Sequence, residues 1–211
     1  MIININKPAG WTSFDVVKKI RGIINEKKVG HAGTLDPFAT GVLILGTGID
    51  TKKLSDISLS NKTYVADLTL GIQTDSLDCD GNIISRKKIP ELSKEIVEDV
   101  LSIFKGIGKQ TPPMFSAKKV NGVRLYKLAR QNKVVKRDPV EIKIHNIQLI
   151  KFKLPTITFE VTCSKGTYVR VLGFDIAKKL GTVGFLSSLR RIRVGSFNIT
   201  ESKLIEEISI L

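Results

Sequence analysis

The sequence is poor in the residues on which most enzyme chemistries depend. Its 211 residues include two histidines, two cysteines, two methionines and one tryptophan. His31 and His145 lie far apart, and Cys79 and Cys163 form no close pair. A His/Cys metal cluster is therefore not expected. The thiols are expected to be reduced, as in a cytoplasmic protein. The longest apolar stretches are short, Val42 to Leu45 being one. None approaches the roughly 20 residues of a membrane span. The start, MIININKPAG, lacks the charged segment and apolar core of a secretion signal. There is no Gly-x-x-x-x-Gly-Lys phosphate loop, no Gly-x-Gly-x-x-Gly fingerprint and no serine in a nucleophile-elbow pattern. A carboxylate remains as the candidate nucleophile or base.

Positive charge is abundant and unevenly placed. The net charge is +14. Residues 1–104 hold 13 basic and 13 acidic residues, whereas 105–143 hold 11 basic and 2 acidic, a net of +9. A merely soluble surface intersperses the signs. A block this polarised points to a polyanion partner, nucleic acid first, with a solvated basic surface as the alternative. At 42% hydrophobic and 26% charged, the chain has enough apolar residues for a core.

The apolar pattern predicts both helices and strands. Thr12 and Asp15 have capping-box spacing, and Phe14, Val17, Ile20 and Ile24 then recur at helical spacing. "GVLILG" reads as a buried strand. In "YVADLTLG", Tyr64, Ala66, Leu68 and Leu70 share one face; in "TITFEVTC", Ile157, Phe159, Val161 and Cys163 do. "KEIVEDVLSIF" is amphipathic, with Ile96, Val97, Val100, Leu101 and Phe104 on its apolar stripe. "VLGFDIAKKLG" reads as a helix with a glycine stop, and Thr200 as the cap of a final helix through Leu204 and Ile208. Strands and helices do not follow a strict βαβ rhythm. The expectation is an α+β fold, a mixed and mainly antiparallel β-sheet flanked by helices, in a single domain over residues 1–211. The segment 71–93 and the basic stretch 105–139 read as insertions over that sheet.

One acid stands out. Within "VGHAGTLDPFATGVL", Asp36 is the only carboxylate between Glu26 and Asp50, and no Lys or Arg falls between Lys28 and Lys52. Pro37 biases Asp36 toward extended backbone, and Gly33 permits a tight turn that presents its side chain. The other reading is a turn aspartate accepting local backbone hydrogen bonds. A buried carboxylate needs a cation to stay ionised. The candidate lies in "SKGTYVRVL", where Tyr168 and Arg170 sit at the end of the alternating strand and are expected on one face. Arg170 as an exposed strand-end charge, and Tyr64 as a plain core aromatic, are the alternatives.

These stretches resemble a known family. "NKPAGWTSFDVV", "KVGHAGTLDPFATGVLILGTG", "YVADLTLGIQTDSLDCDG", "QTPPMFSAKKVNGVRLYKLAR" and "CSKGTYVRVLGFDIAKKLG" through "SLRR" occur in the order found in bacterial tRNA pseudouridine-55 synthases, the TruB family. The resemblance runs from about Ile3 to Phe197. It implies a pseudouridine synthase fold and conversion of uridine 55 in the tRNA T-loop to pseudouridine, with base flipping. By this resemblance Asp36 matches the catalytic aspartate, and His31 the histidine that helps hold the target nucleotide out of its stack. Tyr64 matches the tyrosine stacking on the uracil. Tyr168 and Leu189 match pocket residues, and Arg170 the arginine that pairs with the aspartate. Lys7 matches a structural motif lysine. Lys118, Lys119, Arg124, Lys127 and Arg130 in the basic stretch, with Arg190 and Arg191, are the expected RNA contacts. The isomerisation involves no redox change, so no cofactor or metal is expected. The expected partner is the tRNA T-arm, met by a cytoplasmic monomer. The sequence departs from the family pattern at Asp50 and Gly184, where alanine is usual, and after Arg130, where a glycine is common. Family members commonly carry a further C-terminal RNA-binding domain, of which this sequence shows no full counterpart. A non-catalytic RNA-binding module and a guide-RNA-dependent synthase are the competing classes.

Overall fold

The first helix forms where its cap is written. The Thr12 hydroxyl accepts a hydrogen bond from Asp15 N at 3.1 Å, and the Asp15 carboxylate accepts one from Thr12 N at 2.9 Å. This capping box satisfies donors that the first turn leaves orphaned. The structure, a computed structural model, describes residues 1–120, 122–129, 131 and 133–209. Its strands are β1 (Ile2–Lys7), β2 (Val29–Ala32), β3 (Thr40–Thr47), β4 (Lys62–Leu70), β5 (Ile72–Thr74), β6 (Ile83–Arg86), β7 (Gly106–Gln110), β8 (Lys119–Val120), β9 (Val123–Arg124), β10 (Val140–Lys153), β11 (Thr156–Cys163), β12 (Gly184–Val194) and β13 (Phe197–Asn198). Its helices are α1 (Ser13–Ile23), α2 (Leu54–Leu59), α3 (Lys94–Ile103), α4 (Leu125–Ala129) and α5 (Val169–Lys179). Pairing is mixed and mainly antiparallel, as the sequence predicts. No helix among the described residues is long and apolar enough to cross a membrane.

Residues divide into two compact units, and β4, β11 and β12 each contribute to both. The first holds residues 1–65, 160–165 and 188–209. There β3 is central: β1 and β2 pair with it antiparallel, and β12 pairs with it in parallel, Arg191 opposite Gly41. Alternation gives β3 two buried faces. On one, Leu43 and Leu45 pack with Ile3 and Ile5 of β1 and with Val16, Val17 and Ile20 of α1. On the other, Val42 and Ile44 pack with Ala32, Val194 and Leu54 of α2. Truncating the fully buried Ile20 to Ala costs about 2–5 kcal/mol by the usual cavity scale.

The second unit holds residues 66–159 and 166–187. Its buried residues include Ala66, Leu68 and Leu70 of β4, Ile157 and Phe159 of β11, and Ile142 and Ile144 of β10. Val97 and Leu101 of α3 and Leu172 and Ile176 of α5 are buried with them. A Cβ on Gly184 would meet the Ala177 Cβ at 2.8 Å, so the start of β12 comes unusually close to α5. The opposite side of β4 carries a polar ladder: Thr69 meets Ser187 at 2.9 Å, and Thr158 donates to Asp67 at 2.6 Å.

Several local expectations are corrected. Phe14 is 61% exposed, and Val16 takes its place in the core. Ile96 is also exposed, leaving Val97 and Leu101 as the buried stripe of α3. Gly106–Gln110 is no insertion but a strand paired with β10, while segment 71–93 does hold a separate hairpin, β5–β6. The final helix is absent from the described residues: Asn198, not Thr200, caps a 3-10 turn at Ile199–Glu201, and a second such turn covers Ile205–Glu207.

Candidate active site

Asp36 lies on the connection between β2 and β3, and its neighbours are pinned on both sides. On one side, the Ser13 hydroxyl accepts from Leu35 N at 2.9 Å and donates to Leu35 O at 3.1 Å. Ser13 is the first residue of α1, so the helix cap is tied directly to this loop. On the other side, Pro37 O accepts from Gly10 N at 2.8 Å and from the Lys7 ammonium at 3.1 Å. Lys7 is fully buried and also donates to Pro8 O and Trp11 O. Three carbonyls thus meet the three ammonium donors, a structural use of a buried charge. Gly33 starts the loop at φ +78°, a left-handed conformation that glycine adopts at little cost. Asp36 O accepts from Ala39 N at 3.1 Å and closes the turn before β3.

Around this loop the first unit gathers Tyr64, His31, Lys62 and Arg191. Tyr64 is 8% exposed on β4, and Leu189 is buried on β12. Burial pushes the Tyr64 phenol up from its ordinary pKa; the nearby Arg191 guanidinium pulls it partly back. His31 on β2 is half-buried. Burial first, then the Arg191 charge, lowers its imidazole, and its Nδ1 is buried without a hydrogen-bond partner. Lys62 donates to Ser58 O and Ser60 O, both at 2.6 Å, at the end of α2. Its ammonium is lowered to about 8 by burial and by the charges of Arg191 and Lys165, with Cys163 opposing.

Arg191 corrects the sequence reading, which paired it with Arg190 as a phosphate contact. Successive strand residues face opposite ways. Arg190 is exposed, but Arg191 is only 1% exposed. Its Nε donates to Val42 O at 2.7 Å and its Nη2 to Gly33 O at 3.0 Å.

In the second unit, Tyr168 and Arg170 are not on a strand. β11 ends at Cys163; Tyr168 is the N-cap of α5, and Arg170 lies in its first turn. Gln110 of β7 clamps the Tyr168 backbone, accepting from its N at 2.8 Å and donating to its O at 3.1 Å. Arg170 is 3% exposed and pairs with the buried Asp78 at 3.2 Å. It also donates to Ser76 O at 2.6 Å and Phe115 O at 2.9 Å. Asp78 was not singled out from the sequence. It lies in an acidic turn, Asp75 to Asp80, with no local feature to mark which acid meets a distant arginine. Ser13 and Lys62 were missed for a similar reason: their partners are backbone carbonyls and amides, which no motif records. Of the expected RNA contacts, Lys118, Lys119, Arg124 and Lys127 are exposed, while Arg130 lies outside the described residues.

Comparison with known proteins agrees with this architecture. The family model for the N-terminal domain of TruB family pseudouridylate synthases matches residues 21–169. The tRNA pseudouridine synthase B of Protochlamydia amoebophila is 48% identical over 198 residues, covering 93% of this chain and 74% of that protein. Its counterpart in Clostridium kluyveri is 46% identical over 205 residues, covering 97% and 71%. Among solved structures, a Cbf5–Nop10–Gar1 complex contains a chain matching at a TM-score of 0.77 and 28% identity, over 98% of this chain. This chain spans about half the length of that one, 52%. Fold and sequence together define a pseudouridine synthase, an isomerase of RNA uridine. Within that class, the chain belongs to the TruB family.

Proposed function

We propose that this protein converts uridine 55 in the tRNA T-loop to pseudouridine, as a cytoplasmic monomer that recognises the T-arm. Several relatives at 45–48% identity are named tRNA pseudouridine synthase B, which favours tRNA over a guide-RNA-dependent substrate. The observation that carries the catalytic assignment is the loop around Asp36, whose two neighbours are fixed by Ser13 and by Lys7 with Gly10. A loop held this closely can aim one carboxylate at a reacting sugar–base bond.

The reaction breaks the uracil N1–C1′ bond, turns the base and forms a C5–C1′ bond. The C5 proton leaves and N1 gains one, so the isomerisation balances without oxidant or cofactor. Asp36 supplies the carboxylate at the sugar–base bond. The target uridine leaves its stack first, because its reacting atoms are shielded there. Tyr64 offers its ring to the flipped base and His31 helps keep the nucleotide out; the family resemblance adds Tyr168 and Leu189 as uracil contacts. Lys118, Lys119, Arg124, Lys127, Arg130 and Arg190 contact phosphate.

Asp36→Asn preserves shape and removes the charge. The expected result is loss of pseudouridine at position 55 in a tRNA transcript, with tRNA affinity within about threefold of wild type, a change under about 0.7 kcal/mol. Near-normal turnover by the variant, or a product mapped to another position, would overturn the assignment.

A further inference from the structure

Arg191 is spent entirely inside the first unit. Its two backbone bonds fall on Gly33 and Val42, which bracket the segment that carries Asp36. One guanidinium therefore closes the loop's exit from β2 onto its entry into β3. Ser13 and Lys7 hold the middle of the loop; Arg191 holds its ends. Gly41, at φ +101°, sits opposite Arg191 in the β3–β12 pairing, and a Cβ there would meet Arg191 O at 2.2 Å. The backbone of β12 thus presses on the same loop end that its side chain grips.

The arrangement costs more than simple burial needs. No carboxylate of the described residues lies within ion-pair distance of Arg191. A buried guanidinium held by two carbonyls and the Tyr64 hydroxyl, with no carboxylate partner among the described residues, is an expensive way to fill a core. A leucine would fill volume at less cost, but it cannot bridge two carbonyls in fixed geometry.

We propose that Arg191 is a positioning residue for the isomerisation: it fixes both ends of the Asp36 loop, and so sets the aim of the carboxylate, without touching RNA. This rests on Asp36 as the catalytic carboxylate. A displacement of the order of 1 Å at a reacting group can cost about a hundredfold in rate. Lysine keeps the charge but presents a compact ammonium in place of the planar fork, so Arg191→Lys loosens the bridge.

The test is single-turnover kinetics on a tRNA transcript with wild type, Arg191→Lys and Asp36→Asn, alongside tRNA affinity and thermal unfolding. The expected result for Arg191→Lys is a rate constant about a hundredfold lower, with full reaction amplitude and unchanged tRNA affinity. A purely structural role gives a different pattern: the active fraction falls, and the molecules that remain folded react at the normal rate. That pattern, or a rate constant within threefold of wild type, overturns the proposal. So does a tRNA affinity loss that accounts for the whole effect, because Arg191 would then be an RNA contact. If Arg191→Lys does not unfold cooperatively, Arg191→Gln is measured in the same way; failure of both to fold makes Arg191 a folding determinant and overturns the positioning role. Activity in Asp36→Asn would instead remove the underlying assignment, so the two failures are distinguishable.

Discussion

Buried cations organise this protein at the scale of single residues. Lys7 and Lys62 each hold backbone carbonyls, and Arg170 combines two carbonyls with the carboxylate of Asp78. Burying a charge is tolerable only when hydrogen bonds replace its water. Lys62 shows the residual cost. Burial, then the Arg191 charge, lowers its ammonium to about 8 from an ordinary 10.5. Its folded pKa is thus below its unfolded one. Between about pH 8 and 10.5 the unfolded chain binds more protons at this site, so stability from this group rises with pH across that window. The contribution is fully present above the unfolded value and is lost as pH falls through about 8. Lys62→Met removes the titration. Urea unfolding of both proteins from pH 7 to 10 isolates it, because other groups cancel in the difference. The stability of wild type relative to Lys62→Met is expected to climb above pH 8. A difference that stays flat to pH 10 would mean that the ammonium binds its proton as in water.

At the scale of elements, α1 links stability to the site, because its cap residue Thr12 precedes the loop clamp Ser13. Thr12→Ala and Ser93→Ala each remove an N-cap, and each is expected to cost about 1 kcal/mol in urea unfolding. Only Thr12→Ala is expected to slow turnover as well, since only α1 holds Leu35. Equal turnover in the two variants would uncouple the cap from the loop. This helix start was legible in the sequence because a capping box is a local pattern. The alternating faces of β4 and β11 were legible too, and Ala66, Leu68, Ile157 and Phe159 are buried as expected. Phe14 was misplaced because helical spacing alone does not say where a stripe is centred; packing against Ile5 and Leu43 chooses Val16. Arg170 was placed on a strand because alternation carries no stop signal. The strand ends at Cys163, and the helix begins after the turn around Gly166. Asp36 stands out in the sequence by composition and motif, and it lies on a β2–β3 connection clamped by Ser13 and Lys7. The carbonyl grips of Arg191 were not legible, because backbone acceptors leave no trace in side-chain identity.

At the scale of the whole molecule, charge separates along the chain rather than averaging out. Residues 105–143 carry a net of +9, while residues 1–104 are neutral overall. Within the basic stretch, Lys118, Lys119, Arg124 and Lys127 are exposed, and none of the four has a carboxylate within ion-pair distance among the described residues. Exposed cations without carboxylate partners are free to replace counterions on a phosphate backbone. Each such contact steepens the fall of log affinity with log salt by about 0.7 to 0.9. Reversing Lys118 and Lys119 to Glu is expected to weaken tRNA binding and make this slope shallower, with turnover at saturating tRNA changed much less. Reversing Lys18 and Lys19, exposed on α1 in the neutral part of the chain, supplies the control for net charge. Both double variants change total charge equally, so a general field effect weakens both alike. A local phosphate interface weakens only the first. Filter binding of a tRNA transcript across a salt series separates these outcomes, and equal slopes and equal losses in the two variants would remove the basic stretch from the RNA interface.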